Sequence, residues 1–470
     1  MVDSNFQSSA DVVVIGCGAA GLSAAIEAVD LGASVVVLES QAEPSGSTRL
    51  SAGYAVFCET EFEAGTAQEL HADLLEAHHG DHDDALVTLY VSESPRAYRR
   101  LVELGVEFCG TFQFAHMQRP WAHEVAGGQR NGGAALGARL ERAARDRGVR
   151  IVCSARATRL LCDGGGVVFG VAVEGGDGNS RTIEASRGVV IATGGFTRNP
   201  AMIRNFGPPG TEAILPITGT GSLGDGLRMA MARGADTAYM AAGVAPTGPA
   251  DPRTGKGAML IYEGAVILNR HGERFCDESS LYNDISWAAL KQPGALIFQI
   301  YDTSIRERHR GSMLGRTLTG YEEVKADTID AVLASLAAAE DLDAVAAEAS
   351  IARYNTHTRC GQDPDFGRLH LVGTSGRAVP IETPPFYGIA TVPGTTHFNG
   401  GLKIDPAMRV IDVYGDPIPR LYAAGEVTGG FHGRGYLSGT HIGMAVIFGQ
   451  LAGRSVAARV VPDGRLLGHS

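Results

Sequence analysis

The stretch "DVVVIGCGAAGLSAAIEAVDLGASVVVLES", residues 11–40, leaves this chain few choices of fold. Val12 to Ile15 form an unbroken apolar run, as a parallel strand buried on both faces does. Gly16, Gly18 and Gly21 follow as G-x-G-x-x-G, and Ala24, Ala25 and Ala28 continue as a small-residue helix that can lie close to a sheet. A helix opening on such a turn presents unpaired backbone N–H groups and the positive end of its dipole, and both favour a pyrophosphate. Glu39 ends the next apolar run, 23 residues after Gly16, where a carboxylate can accept from both ribose hydroxyls. Strand, turn, helix and acid together predict a Rossmann-like dinucleotide site.

A chain of 470 residues is too long for one core, and 44% apolar residues with 63 glycines predict a loop-rich α/β enzyme of two domains. No apolar run reaches the roughly 18 residues of a membrane helix, so no membrane span is expected. The first ten residues are polar and lead directly into the first strand, so a cytoplasmic protein without a secretory signal is expected. A formal charge of -12 disfavours nucleic acid and anionic membranes as partners. Seven cysteines without C-x-x-C spacing argue against a disulfide framework, an iron–sulfur cluster and attached haem. "HHGDHDD", His78 to Asp84, lacks metal-ligand spacing and reads as a solvated turn between two helices, so no metal is expected.

The far end of the chain selects the dinucleotide. "RLYAAGEVTGG", Arg420 to Gly430, resembles the second FAD fingerprint of flavoproteins, in which the acid, here Glu426, contacts the ribityl chain. "RGVVIATGGF", Arg187 to Phe196, resembles the strand and turn that return to the same nucleotide fold. No second G-x-G-x-x-G with its own acid appears, so no built-in NAD domain is expected, and electrons arrive or leave through an external donor or acceptor.

With "SGSTRLSAGY", "LNRHGERFCDES" and "TTHFNGGLKID" added, the chain resembles over essentially its whole length the flavoprotein family of soluble fumarate reductases, succinate dehydrogenase flavoprotein subunits and 3-ketosteroid dehydrogenases. The resemblance implies a discontinuous Rossmann-like FAD-binding domain, residues 1–236 and 397–470, interrupted by an α+β capping domain over 237–396. Carried onto this chain, it implies a cofactor site made by Gly16, Gly18, Ala19, Ala20, Gly21, Glu39 and Ser40, then Gly46, Ser47, Thr48, Ser51 and Gly53. Ala155, Thr193, Gly194, Gly195, Asp225, Gly425, Glu426, Ser438, Gly439 and Ile442 complete it. Members that join FAD covalently use a histidine beside "SGSTRLSAG"; Gly46, Ser47 and Thr48 stand here, so the FAD is expected to be non-covalent.

The fumarate-type members bind a dianion with cations and an arginine proton donor. At the matching positions this chain has Tyr282, Tyr436 and Ala245, and only the histidine persists, as His397. "GYLSG" matches the "GYxSG" element of the 3-ketosteroid dehydrogenases, especially the Δ4-(5α) type, at Tyr436 and Ser438. The resemblance therefore implies a ketone or enone substrate and desaturation of a carbon–carbon bond beside the carbonyl, or the reverse reduction. Tyr436, Ser438, Tyr282 and His397 are the catalytic candidates. A phenol at its ordinary pKa of about 10 is a poor base at neutral pH, so Tyr436 needs a partner, and His397 is the nearest by motif. Ser438 alternatively caps the following helix and His397 alternatively packs. Arg434 leaves open a second reading, an unsaturated or oxo-substituted ring carboxylate as substrate.

Overall fold

The computed structural model describes residues 8–114, 117–127, 132–241, 248–280, 282–312, 315, 318–371, 376–433 and 435–458, with backbone alone for Tyr282 and Asn283. The chain divides into two compact units: residues 1–207, 218–244 and 397–470 form the first, and 208–217 with 245–396 form the second.

In the first unit the strand Ser9–Ile15 pairs in parallel with Val35–Leu38 on one side and with Ser180–Ile191 on the other. Arg150–Val152 and Pro417–Ala423 extend the parallel sheet at its two sides. Val12, Val13 and Val14 are fully buried, as the apolar run requires. The twelve-residue strand Ser180–Ile191 changes character along its length. Its outer half alternates exposed and buried residues while it pairs antiparallel with Val168–Gly175, and Val189 to Ile191 are buried between parallel neighbours. Both ends of the sequence thus meet in one sheet.

The helix Ala19–Asp30 explains its own small residues. A Cβ on Gly449 or Gly453 of the helix Thr440–Ala457 would stand 2.4 Å from the carbonyl oxygen of Ala20 or 2.2 Å from that of Ala24. The two helices therefore approach along a seam of glycine and alanine, which bulkier side chains would hold apart.

In the second unit Phe386–Thr395 is the central strand. It pairs antiparallel with Ile297–Asp302, Gly248–Asp251 and Val324–Ala326, and in parallel with Leu215–Pro216. The helices Ile329–Glu340 and Ala344–Arg359 bury Leu333, Leu336, Ile351 and Tyr354 in one core with Val266, Phe298 and Ile389. "LNRHGERFCDES" builds this unit's fold. The Arg274 guanidinium donates to Glu278 at 2.9 and 2.7 Å and to Asp363 at 3.2 and 2.9 Å, all three side chains being at most 1% exposed.

The unit boundaries differ from a single insertion over 237–396. Thr237–Ala238 pairs with Gly401–Leu402 and groups with the first unit, whereas Leu215–Pro216 pairs with Gly394–Thr395 and groups with the second. Strands of two residues carry too little periodicity to be read from sequence. No helix among the described residues is long and apolar enough to cross a membrane.

Candidate active site

The three fingerprint glycines have three separate causes. Gly16 has φ of +108°, and a Cβ there would lie 2.3 Å from the carbonyl oxygen of Ala192. Gly21 holds helix against strand, since its Cβ would meet the Gly16 carbonyl oxygen at 2.0 Å. Gly18, which precedes the helix, is different: among the described residues an added Cβ would find only Thr48 Oγ1, at 3.7 Å. The protein leaves that face open, as a backbone that must approach a pyrophosphate requires.

The rest of the nucleotide site forms around this opening. Glu39, 6% exposed, accepts the backbone N–H of Cys17 at 3.2 Å and of Gln41 at 2.9 Å, and the Ser40 hydroxyl donates to it at 3.3 Å. Thr48 Oγ1 accepts the N–H of Ala19 at 3.1 Å, and Ser47 Oγ accepts that of Gly219 at 3.2 Å. Gly46, at φ +106°, faces Gly18, whose Cα is 3.6 Å from the place of a Cβ. The Ser51 hydroxyl donates to the Thr48 carbonyl at 2.8 Å. Gly53 packs against Gly132, where a Cβ would come within 2.3 Å, and donates its N–H to Ser51 Oγ at 3.3 Å. The N–H of Ala155 is committed to the Glu39 carbonyl at 2.8 Å. Asp225 is held bidentately by Arg156 at 2.8 Å on each oxygen.

The second fingerprint lies against the first. A Cβ on Gly425 would stand 2.7 Å from the Ala20 side chain, and one on Gly195 would stand 2.4 Å from Glu426 Oε1, while Gly194 turns at φ +72°. Burial raises the Glu426 carboxyl to about 7, opposed by N–H donation from Phe398, at 3.2 Å, and from Gly195. Thr193 Oγ1 is buried with no hydrogen-bond partner among the described residues. The open face of Gly18, the unsatisfied Thr193 hydroxyl and a carboxyl placed among turning glycines all fit an extended FAD.

Beside this site lies a group of rings in the first unit. The Tyr436 hydroxyl oxygen accepts the N–H of Gly439 at 2.9 Å, immediately before the helix Thr440–Ala457. Burial raises this phenol to about 12, against N–H donation from Gly439 and His441, so at neutral pH it keeps its proton. The His397 ring is centred 4.4 Å from that of Tyr436, and burial lowers its pKa to about 3, which keeps the imidazole neutral. The residue preceding the helix, at φ +94°, is Gly439, and Ser438 does not take the capping position. Ile442 stands in the first turn, partly accessible. Tyr282 begins the helix Tyr282–Leu290 of the second unit, and its side chain lies outside the described residues, as do Ala245 and Arg434.

Sequence reading missed His441, His432 and Asn399. His441 Nε2 lies 3.1 Å from Asn399 Oδ1, and the Asn399 amide donates to the Gly433 carbonyl at 3.0 Å. The available signal was a second histidine in "GTHIG" beside the tyrosine motif. "HHGDHDD" is indeed a turn between two helices, Ala67–His78 and Asp84–Glu103, but His78 is wholly buried, so the turn is not simply solvated. One trio among the described residues, His357, Asp363 and Asp365, brings ligand atoms within 4.8 Å of one another. Its carboxylates already meet Arg274 and Arg353.

A dinucleotide fold completed from both ends of the chain, with a second unit inserted through it, defines a flavin-dependent oxidoreductase. The FAD binding domain family matches residues 11–442, and the chain belongs to it and binds FAD. A fumarate reductase (cytochrome) of Shewanella frigidimarina is 30% identical, aligned over 95% of this chain and 77% of that protein. A 4-oxocyclohexanecarboxylate 2-dehydrogenase of Sinomonas cyclohexanicum is 30% identical over 96% and 94% of the two chains. The solved 3-ketosteroid-Δ4-(5α)-dehydrogenase of Rhodococcus jostii RHA1 superposes with a TM-score of 0.73 at 26% identity, covering 97% of this chain and 99% of that one. This protein is an FAD-dependent oxidoreductase of the fumarate reductase superfamily, acting on carbon–carbon bonds.

Proposed function

We propose that the protein desaturates a cyclic ketone such as a 3-ketosteroid at the bond beside its carbonyl, or reduces the corresponding enone, and exchanges electrons with an external carrier. The observation that carries this reading is the state of Tyr436. Its oxygen accepts a backbone N–H and burial holds its proton in place to about pH 12; by the resemblance in motif, its position is that of a cation in the dicarboxylate-binding members. A neutral donor suits a ketone oxygen and gives a second carboxylate nothing to pair with. Bound FAD supplies hydride chemistry at the carbon β to the carbonyl. The chain's own part is to polarise the carbonyl through the Tyr436 O–H, which acidifies the α-carbon, and to hold a neutral base within reach. In this reading His397, whose ring centre is 4.4 Å from that of Tyr436 and which burial keeps neutral, is the partner of Tyr436. Ser438, two residues on, belongs to the proposed group. We assign the nucleotide contacts to Gly18, Glu39, Ser47, Thr48, Thr193 and Glu426.

A second reading is supported by the Sinomonas relative, which by its name oxidises a ring bearing both a ketone and a carboxylate. Arg434, in "GRGY", would then meet the carboxylate. Anaerobic reduction of the bound flavin by 5α-androstane-3,17-dione, cyclohexanone, 4-oxocyclohexanecarboxylate and succinate separates the readings. Reduction by succinate alone would overturn both.

A further inference from the structure

The segment that carries Tyr436 is pressed from behind and tied from in front, by residues that all belong to the first unit. Behind it, a Cβ on Gly433 would overlap the carbonyl oxygens of His78 and Asp81, and one on Gly435 would overlap that of Ala77. The turn "HHGDHDD" is therefore a backstop for this segment, so close that the two backbones leave no room for a side chain at either glycine.

The tie in front is a single side chain. Asn399, 2% exposed, follows His397 by two residues; its amide donates to the Gly433 carbonyl at 3.0 Å, and its oxygen lies 3.1 Å from His441 Nε2. With the amide nitrogen committed to a carbonyl, the oxygen accepts, so His441 carries its proton on Nε2. Asn399 thus joins Gly433 and His441, which flank Tyr436 in the chain. His441 is held at a second point. Its backbone N–H and that of Gly439, the latter at 2.9 Å, are donated to the Tyr436 oxygen, which places the phenol over the first turn of the helix Thr440–Ala457. Within the same segment Thr440 Oγ1 donates to the Leu437 carbonyl at 2.6 Å and accepts from His432 Nε2 at 2.8 Å.

Leucine would fill the space of Asn399 with no polar atoms of its own to satisfy, so what asparagine adds at this buried point is two directed bonds. We propose that Asn399 is a positioning residue for the reaction: acting through His441, it holds the Tyr436 phenol in register with the His397 ring, 4.4 Å away between centres. No bond forms or breaks at Asn399 itself. A displacement of about 1 Å at a reacting group can cost on the order of 10²-fold in rate, so a tie of this kind acts on turnover before it acts on binding.

The effect on turnover rests on the acid–base reading of Tyr436; the position of the ring does not. FAD-loaded protein carrying ¹³C in its tyrosine and histidine rings is examined by NMR for the through-space signal between Tyr436 and His397. Asn399→Leu keeps the shape and removes both bonds, and with FAD content retained that signal is expected to be lost. His441→Phe gives the same reading if Asn399→Leu does not load FAD, and His441→Gln, whose amide can still donate to Asn399, restores the signal. An undiminished signal in an FAD-loaded Asn399→Leu or His441→Phe variant overturns the proposal. In stopped-flow reduction by 5α-androstane-3,17-dione, Asn399→Leu is expected to slow the saturating rate ~10-fold with half-saturation changed less than ~2-fold, and to add nothing in a Tyr436→Phe background. An equal loss in both backgrounds overturns the positioning role. If Tyr436→Phe alone reduces its flavin at the wild-type rate, the reading of Tyr436 fails, and the through-space signal still decides whether Asn399 holds the ring.

Discussion

Thr48 Oγ1 accepts the N–H of Ala19 at 3.1 Å and, among the described residues, is the single atom within 4 Å that a Cβ on Gly18 would meet. The hydroxyl thus guards the helix N-terminus without filling the space in front of it. Gly18→Val is expected to fold with an unchanged thermal midpoint and to bind FAD at least ~10-fold more weakly, measured by fluorescence titration of the apoprotein. Gly21→Ala, which drives a methyl against a carbonyl oxygen, is expected to lose about 3 kcal/mol of stability in urea.

FAD is expected to leave with the supernatant when the protein is denatured and filtered. The segment beside the flavin attachment position of covalent members holds Gly46, Ser47 and Thr48 and no histidine. Yellow colour retained by the precipitate would contradict this.

Tyr436→Phe removes one hydroxyl and keeps the ring packed on His397. FAD content should hold, while the reductive half-reaction with a ketone slows about 10²- to 10³-fold, the loss typical of an oxyanion donor or positioned acid–base group. Substrate affinity should change by only about 1 kcal/mol. Stopped-flow flavin reduction reads both quantities.

Arg274→Met is expected to destabilise the second unit by roughly 3–5 kcal/mol, because Glu278 and Asp363 are left buried without their cation. Trypsin should cleave within 245–396 first, with residues of the first unit protected longer.

Stability should depend on pH with two opposing slopes. The folded pKa of His78 is lowered to about 3, so below the unfolded value near 6.5 the unfolded chain takes up a proton that the fold refuses. Stability falls as pH drops from about 6.5, and His78→Phe should flatten that slope by about 1.4 kcal/mol per pH unit. Glu426, raised to about 7, acts in the opposite sense: its contribution is present below about 4.5 and fades as pH rises through 7. Glu426→Gln removes that fading in urea titrations of the apoprotein.

The nucleotide half of the candidate site could be proposed from sequence because each of its demands leaves a mark one letter wide. Gly16 needs a positive φ, Gly21 needs no side chain, and Glu39 must end a buried strand. Of the ring cluster only the pair Tyr436 and His397 was legible; His78, His432 and His441 were not, because they come from separate segments and histidine has no periodicity that betrays burial. "LNRHGERFCDES" was legible as a family mark and not as an ion network, since its partner Asp363 stands 89 residues away from Arg274. The two-residue strand at Leu215–Pro216 was invisible for want of length.

That short strand decides how the protein can be taken apart and rebuilt. Its pairing with Gly394–Thr395 means the second unit is threaded into the chain twice, once as residues 208–217 and once as 245–396. A chimera that imports a relative's substrate unit as one cassette would leave a foreign strand facing a native edge. Recombination between relatives in this superfamily should therefore succeed with two matched crossovers and fail with one.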